Sequence, residues 1–269
     1  MRKALGAVLL MLIAAALAGC AGGLASGTGT VSGRNAITVF AASSLKEAFT
    51  RIGDDLKAKG MVSDVTFNFA GSQALATQLS QGARADVFAP ADRLNMDAAV
   101  ASGAVGAEAA RPLLTNRLVV VAPKDGSVRS LHDLARPGLK LVLAAPSVPA
   151  GNYSVQALEN LSAAPEYGAD FDDRVLANVV SREENVRQVL AKVALGEADA
   201  GIVYATDADN GDVTTIPIPD AYNVVARYYV APTLNAPNPE GARRFVAYVL
   251  SPEGQAVLAE YGFGPAEGE

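Results

Sequence analysis

The chain has 269 residues, half of them hydrophobic, and 28 acidic against 22 basic residues give it a formal net charge of −6 at pH 7. No stripe of lysine and arginine occurs, which argues against a nucleic-acid-binding protein. With one cysteine and one histidine in the whole chain, an intrachain disulfide and a His/Cys metal cluster are both excluded.

The first 35 residues are expected to lie outside the folded part. A basic start and an apolar run from Ala4 to Ala18 predict a signal peptide over residues 1–19, since a bilayer span needs roughly 20 residues. Leu17-Ala18-Gly19-Cys20 resembles a bacterial lipobox, so we expect cleavage before Cys20 and a lipid on that cysteine. An ordinary signal peptide with an incidental cysteine is the alternative. The Gly/Ser/Thr/Ala-rich stretch that completes residues 20–35 predicts a flexible tether.

Residues 36–269 alternate between short apolar runs and segments with helical spacing. This alternation predicts an α/β fold with parallel sheets covered by helices on both faces, and such sheets bind ligands beyond the carboxyl ends of their strands. Asp92 is expected to be a helix N-cap and Gly262 to end the last helix. Strands are predicted at 37–40, 65–69, 86–89, 118–122, 139–144, 200–204, 215–217 and 224–230, and helices begin near Ser44, before Leu75, near Asp92, before Val186, around Ala242 and at Pro252.

The turn after the first strand has the composition of an anion site. Phe40-Ala41-Ala42-Ser43-Ser44-Leu45 places small residues and two hydroxyls between a strand and a helix. Such a turn directs free backbone N–H groups and a serine oxygen to one point, and the helix N-terminus adds partial positive charge. The pattern therefore indicates a pocket that holds an anion without a cationic side chain.

Six motifs, in order, resemble the molybdate-binding proteins that serve ABC importers. The resemblance covers residues 36 to about 264. The motifs are Ile37-Thr38-Val39-Phe40-Ala41-Ala42-Ser43-Ser44-Leu45, Phe69-Ala70-Gly71-Ser72, Ala85-Asp86-Val87-Phe88-Ala89, Val148-Pro149-Ala150-Gly151, Glu184-Asn185-Val186-Arg187 and Gly201-Ile202-Val203-Tyr204.

The resemblance implies a two-lobe class II periplasmic-binding-protein fold in which each lobe is a mostly parallel sheet flanked by helices. Lobe I would comprise 36–116 plus 224–269, and lobe II would comprise 117–223, with the ligand in the cleft between them. It also implies a monomeric binding protein with no catalytic activity and no cofactor, whose ligand is molybdate or tungstate. Molybdenum would be bound only as the oxyanion. Its partners would be an ABC permease with its ATPase, on the outer side of the cytoplasmic membrane, where the lipid is its only membrane attachment.

The same resemblance implies five ligand residues. Ser44 and Ser72 would contribute hydroxyl and backbone donors from one lobe, Ala150 and Val186 backbone N–H groups from the other, and Tyr204 its phenol O–H. Ser43 stands where many members have alanine, which leaves open whether Ser43 or Ser44 faces the ligand.

The sequence also leaves open which residue is the N-cap of the helix that carries Val186. Ser181 and Glu184 have capping-box spacing, and a helix that began there would use the Val186 N–H internally. We favour Asn185 as the N-cap, which would leave that N–H free.

Two alternative functions stay open. The ligand could be sulfate, phosphate or an organic anion, or the protein could be a hydrolase with a serine nucleophile. A Ser-His-Asp site would have to use His132, which we expect at the surface. Asp86 is expected to bond loop amides, since a carboxylate facing the anion would repel it. The arginines that could approach an anion are expected to be solvated; they are Arg117, Arg182 and Arg187.

Overall fold

A computed structural model describes residues 35–208 and 211–266 of the chain. The predicted signal segment, Cys20 and the tether up to residue 34 lie outside the described residues. Within the described ranges, every helix is too short or too polar to cross a lipid bilayer.

The described residues form eleven strands, nine α-helices and three short 3-10 helices. The strands are β1 (Ala36–Ala42), β2 (Asp64–Ala70), β3 (Val87–Ala89), β4 (Arg111–Asn116), β5 (Leu118–Pro123), β6 (Leu141–Ala144), β7 (Val179–Glu183), β8 (Ala200–Tyr204), β9 (Val213–Pro217), β10 (Ala226–Pro232) and β11 (Gly264–Pro265). The α-helices are α1 (Lys46–Ala58), α2 (Ser72–Ser80), α3 (Arg93–Ala101), α4 (Pro149–Ser162), α5 (Phe171–Leu176), α6 (Val186–Ala194), α7 (Ala205–Ala208), α8 (Pro239–Leu250) and α9 (Pro252–Glu260). The 3-10 helices span Ser43–Leu45, Ala107–Ala109 and Leu131–Ala135.

Two separate sheets confirm the predicted two-lobe α/β fold. One sheet has the strand order β11-β4-β10-β3-β1-β2, and the other has the order β7-β6-β8-β5-β9. The chain passes from the first sheet to the second at Arg117, between β4 and β5, and returns between β9 and β10. The residue boundaries of the lobes, 116/117 and 223/224, stay a prediction.

The expectation that each sheet is mostly parallel is wrong, because both sheets are mixed. β1 runs parallel to β2 and β3, and β6 runs parallel to β7 and β8. The strands next to the two crossings reverse this direction: β10 is antiparallel to β3 and β4, and β5 is antiparallel to β8 and β9. Strand–helix alternation in the sequence predicts only the parallel βαβ units. It does not predict the direction of the strands that come before and after the chain passes from one sheet to the other.

The helix after β1 shows how apolar spacing becomes packing. α1 buries Phe49, Ile52 and Leu56 completely on one face. The Phe49 ring meets Phe245 of α8 edge to face, with ring centroids 5.4 Å apart. Burying each such side chain contributes about 1.5–3 kcal/mol, so this face fixes α1 on the sheet and thereby the turn that precedes it.

The predicted cap residues are confirmed. The side chain of Asp92 accepts a hydrogen bond from the Asn95 N–H at the start of α3. Gly262 follows α9 with a φ of +82°, a left-handed conformation that favours glycine.

Asp86 is a structural carboxylate, as expected. It is buried just before β3, where it accepts from the Thr38 N–H at 2.7 Å and the Asn238 N–H at 2.5 Å. Thr38 lies in β1, and Asn238 caps α8. One side chain therefore joins a central strand to the start of a helix far along the sequence.

We expect Asp86→Ala to destabilise the protein by about 2–4 kcal/mol, because two part-buried N–H groups lose the acceptor that a buried side chain provides. Chemical denaturation followed by circular dichroism measures this. Asp97→Ala is the matched control: it removes a carboxylate that pairs with Arg93 on the exposed face of α3, and it should cost no more than about 1 kcal/mol. Equal stability of the two variants would contradict the role of Asp86.

Candidate functional site

A small cavity is lined by residues that follow strands of both sheets. It is lined by the turn after β1, the turn after β2, the starts of α4 and α6, and the end of β8. All five residues implied by the resemblance line it: Ser44, Ser72, Ala150, Val186 and Tyr204. The space open to the centre of a water-sized sphere is about 10 Å³. That is room for one small ion or water, and it excludes a bulky organic group.

Four helix N-termini converge on this cavity. The 3-10 turn Ser43–Leu45 leads into α1, α2 begins at Ser72, α4 at Pro149 and α6 at Val186. First-turn N–H groups have no acceptor within their own helix, and each α-helix N-terminus carries about +0.5 elementary charge. The cavity is therefore surrounded by donors and by positive dipole ends.

The lining is electrically neutral in its side chains. None of the described residues that line the cavity is an aspartate, glutamate, lysine, arginine or histidine. Stabilisation of an anion at this point must come from hydrogen bonds and helix dipoles.

Ser72 is held so that its proton stays available. Its side chain is buried, and its Oγ accepts a hydrogen bond from the Ala91 N–H at 3.0 Å. A backbone N–H can only donate, so the Ser72 hydroxyl keeps its own proton for another partner.

The first turn presents two serines to the cavity. Ser43 and Ser44 both line it, which leaves the choice between them open. The Ser44 Oγ lies 2.8 Å from the Tyr228 hydroxyl oxygen, and both side chains are buried.

Tyr204 brings an unpaired hydroxyl to the cavity. The residue is 1% exposed, and its hydroxyl has no hydrogen-bond partner among the described residues. Burial raises the pKa of Tyr204 well above its ordinary value, so the group remains a neutral O–H donor. An unsatisfied buried hydroxyl costs about 1–3 kcal/mol, which a ligand oxygen would recover.

Asn185, and not Ser181, caps the helix that carries Val186, as favoured from the sequence. The Asn185 Oδ1 accepts from the Gln188 N–H at 3.1 Å. Ser181 lies in β7, where its hydroxyl bonds the Glu183 carboxylate. Val186 is therefore the first residue of α6, with its N–H in the unsatisfied first turn.

The two lobes touch at the rim of the cavity. Gln73 Nε2 of α2 donates to the Glu184 carbonyl at 2.9 Å. A Cβ added to Gly71 would lie 2.3 Å from that same carbonyl oxygen, so only glycine permits this approach. The start of α4 has a similar requirement, because a Cβ on Gly151 would lie 2.1 Å from the Ala145 carbonyl oxygen.

Arg187 joins the lobes beside the cavity, and the expectation that it is solvated is wrong. Its side chain is 28% exposed and forms ion pairs with Glu47 of α1 and, at 2.7 Å, with Oδ1 of Asp207 in α7. Asp207 is fully buried. Burial raises the pKa of Asp207 to about 7, an effect that the Arg187 guanidinium opposes and the Glu47 carboxylate reinforces.

The other polar residues considered from the sequence lie elsewhere. Arg117 pairs with Asp220 at 2.6 Å. His132 is exposed, its Nε2 lies 3.1 Å from the Glu166 carbonyl, and its ring stacks on Tyr167. None of them lines the cavity, and the described residues contain no group of three or more His, Cys, Asp or Glu side chains placed to hold a metal ion.

Sequence reasoning missed Tyr228, Glu47 and Asp207. Each contacts a predicted residue from a distant part of the chain, and no local pattern marks them. Arg187 was considered, but its partners could not be seen from the sequence.

Comparisons with known proteins agree with this geometry. The family profile described as "Bacterial extracellular solute-binding protein" matches residues 37–264. The molybdate-binding protein ModA of Mycobacterium tuberculosis is 40% identical over 96% of both chains. A putative ABC transporter substrate-binding lipoprotein of Bacillus subtilis is 31% identical over 84% of this chain and 85% of its own. The structure of the Azotobacter vinelandii periplasmic molybdate-binding protein superposes with a TM-score of 0.74 at 18% identity, covering 86% of this chain and 100% of that one.

The raised pKa of Asp207 predicts a pH dependence of stability. Because the folded protein binds this proton more tightly than the unfolded chain, the contribution of Asp207 to stability is greatest at low pH and falls as pH rises from about 4 through about 7. The melting temperature of the parent minus that of Asp207→Asn should therefore decrease between about pH 5 and about pH 8.

Asp220→Asn controls for the loss of one negative charge, because Asp220 is an exposed partner of Arg117. If the difference for Asp207→Asn rises with pH instead, the Arg187 ion pair outweighs burial and Asp207 is ionised across this range.

Proposed function

Because the chain belongs to the ModA-type bacterial extracellular solute-binding proteins, we propose that it captures molybdate, and tungstate with it, in the cavity between its lobes. The observation that carries the proposal is the convergence of four helix N-termini and the hydroxyls of four buried residues, Ser43 among them, on one small neutral cavity. The donors are Ser44, Ser72 and Tyr204 through their hydroxyls, and Ala150 and Val186 through their backbone N–H groups.

A fully deprotonated oxyanion complements such a site. Every oxygen of molybdate is an acceptor, and a hydrogen bond to a charged acceptor contributes about 1.5–3 kcal/mol. The Ser72 Oγ already accepts a hydrogen bond from the Ala91 N–H, and the Tyr204 hydroxyl has no partner among the described residues. Both hydroxyls can therefore donate to the ligand.

Other oxyanions fit this cavity less well. Hydrogen phosphate carries an O–H that needs an acceptor, and the described lining offers no carboxylate to receive it. Sulfate has the right charge but is smaller than molybdate. Donors fixed on both lobes cannot all follow a smaller anion, so some would be left too far away or unpaired.

A hydrolase is not supported. The sequence has no Gly-x-Ser-x-Gly elbow. His132, the only histidine in the sequence, contacts the Glu166 carbonyl and does not line the cavity with its serines. The family relatives are substrate-binding proteins, which agrees with binding as the activity.

We expect Ser72→Ala and Tyr204→Phe each to weaken molybdate binding by about tenfold to a hundredfold, the effect of removing one hydroxyl donor to a dianion. Calorimetry of the purified chain without its signal segment measures this against molybdate, tungstate, sulfate and phosphate. Molybdate and tungstate should bind tightly, and sulfate and phosphate weakly or not at all.

Two matched variants control for the substitutions. Ser80→Ala changes an exposed serine of the same helix α2, and Tyr248→Phe changes a buried tyrosine of α8 that does not line the cavity. Both should bind molybdate like the parent. If the two cavity variants also bind like the parent, the site is wrong, and if sulfate binds as tightly as molybdate, the ligand is wrong.

The cell-envelope role extends this proposal. The lipobox at Cys20 and the Gly/Ser-rich tether support a lipoprotein on the outer side of the cytoplasmic membrane, and the Bacillus subtilis relative is described as a lipoprotein. We propose that it acts as a monomer. The chain has no Gly-x-x-x-x-Gly-Lys nucleotide motif, so energy for import would come from a separate permease with its ATPase. Lobe I at 36–116 plus 224–269 and lobe II at 117–223 would then close around the ligand.

Cys20→Ala should abolish lipid attachment, so that the protein is released from the membrane or remains unprocessed. Cell fractionation with an antibody measures this, and molybdate uptake by the same cells should fall because the ligand is no longer captured next to the permease. Normal cleavage with unchanged membrane retention would show that Cys20 is not the anchor.

A further inference from the structure

We propose that Tyr228 is a positioning residue of the anion site, which holds the Ser44 hydroxyl so that Ser44 donates its proton into the cavity. The inference rests on the proposed function, because it assigns a role within that same site. Tyr228 itself does not line the cavity and would not touch the ligand.

The contact is short and buried. The Tyr228 hydroxyl oxygen lies 2.8 Å from the Ser44 Oγ, Tyr228 is fully buried in β10, and Ser44 is 4% exposed. Water does not compete with such a bond, so the direction of its proton is set by the groups that surround it, a bound ligand included.

A bound anion makes Tyr228 the donor. Either hydroxyl could donate in this contact. A Ser44 hydroxyl that donated to Tyr228 would present only an oxygen lone pair to the anion, whereas a Ser44 Oγ that accepts from Tyr228 keeps its own proton for the cavity. Under the proposed function, Tyr228 therefore directs its proton to Ser44.

Burial keeps that proton in place. It raises the pKa of Tyr228 far above the ordinary value, so the phenol does not ionise at physiological pH. The Ser44 Oγ therefore accepts from Tyr228, and its own O–H is left to point towards the cavity.

Ser72 shows the same arrangement. Its Oγ accepts from the Ala91 N–H, whose direction is unambiguous. Ser44 and Ser72 would then each accept a hydrogen bond from the protein, Ser72 from a backbone N–H and Ser44 from a tyrosine. If Ser44 instead donated to Tyr228, it would turn an oxygen lone pair towards an anion, which would repel it.

A double-mutant cycle tests this assignment by calorimetry with molybdate. Ser44→Ala and Tyr228→Phe should each weaken binding by about tenfold or more, and the double variant should be within about twofold of Ser44→Ala alone. Combining Tyr228→Phe with Ser72→Ala should multiply the two losses, because Ser72 is held by Ala91. If Tyr228→Phe caused a general structural defect, its loss of affinity would multiply with that of Ser44→Ala and with that of Ser72→Ala alike.

Tyr248→Phe is the matched control for loss of a buried tyrosine hydroxyl, and it should leave the affinity unchanged. Melting curves of every variant report whether the fold is retained, and the cycle with Ser72→Ala corrects for any residual defect.

The results of these binding measurements distinguish a failure of the role of Tyr228 from a failure of the proposed molybdate binding. If Tyr228→Phe binds like the parent, or its loss multiplies fully with that of Ser44→Ala, the role of Tyr228 is wrong while the molybdate site stands. If Ser44→Ala binds like the parent, Ser44 is not a donor and Tyr228 has nothing to position. A parent that binds no oxyanion overturns both the proposed function and this inference.

Discussion

Hydrogen-bond donors that are buried without an acceptor are the constraint on which the rest of this structure depends. Four helix N-termini line a cavity of about 10 Å³, together with the Tyr204 hydroxyl, which has no hydrogen-bond partner among the described residues. Such an arrangement is costly in an empty protein, because the positive dipole ends repel one another and the N–H groups lack partners. An anion bound there would remove both costs at once, and under the proposed function a ligand that bridges the lobes would favour a closed form by its differential contacts.

The charged groups nearest the site are arranged to keep that cavity neutral. Arg187 directly follows Val186, yet its guanidinium turns away from the cavity to pair with Glu47 and Asp207. The two carboxyl groups hold this guanidinium beside the site, and the Glu47 pair joins α1 of one lobe to α6 of the other. The same side chain therefore contributes to lobe contact without adding a charge that would bind any anion regardless of its shape.

Local patterns were sufficient to predict much of the site. The turns at Ser44 and Ser72 and the cap at Asn185 each follow from a strand, a small polar turn and helical spacing within a few residues. Helix α4 was missed because Pro146 to Gly151 contains two prolines and a glycine, although proline is favoured at the first position of a helix. The strand directions and Tyr228 could not be predicted, since they depend on pairing between distant segments: Ser44 and Tyr228 are 184 residues apart.

The neutral lining explains how an acidic protein can bind a dianion selectively. A net charge of −6 repels anions at long range, so the field of the whole chain gives the ligand no help in approaching. All of the attraction must arise at contact, from donors whose strength falls steeply when distance or angle is wrong. Binding energy then depends on the size and protonation of the anion more than on its charge. Under the proposed function, such a site would lose long-range attraction for its ligand and would discriminate among anions of equal charge by their size and protonation.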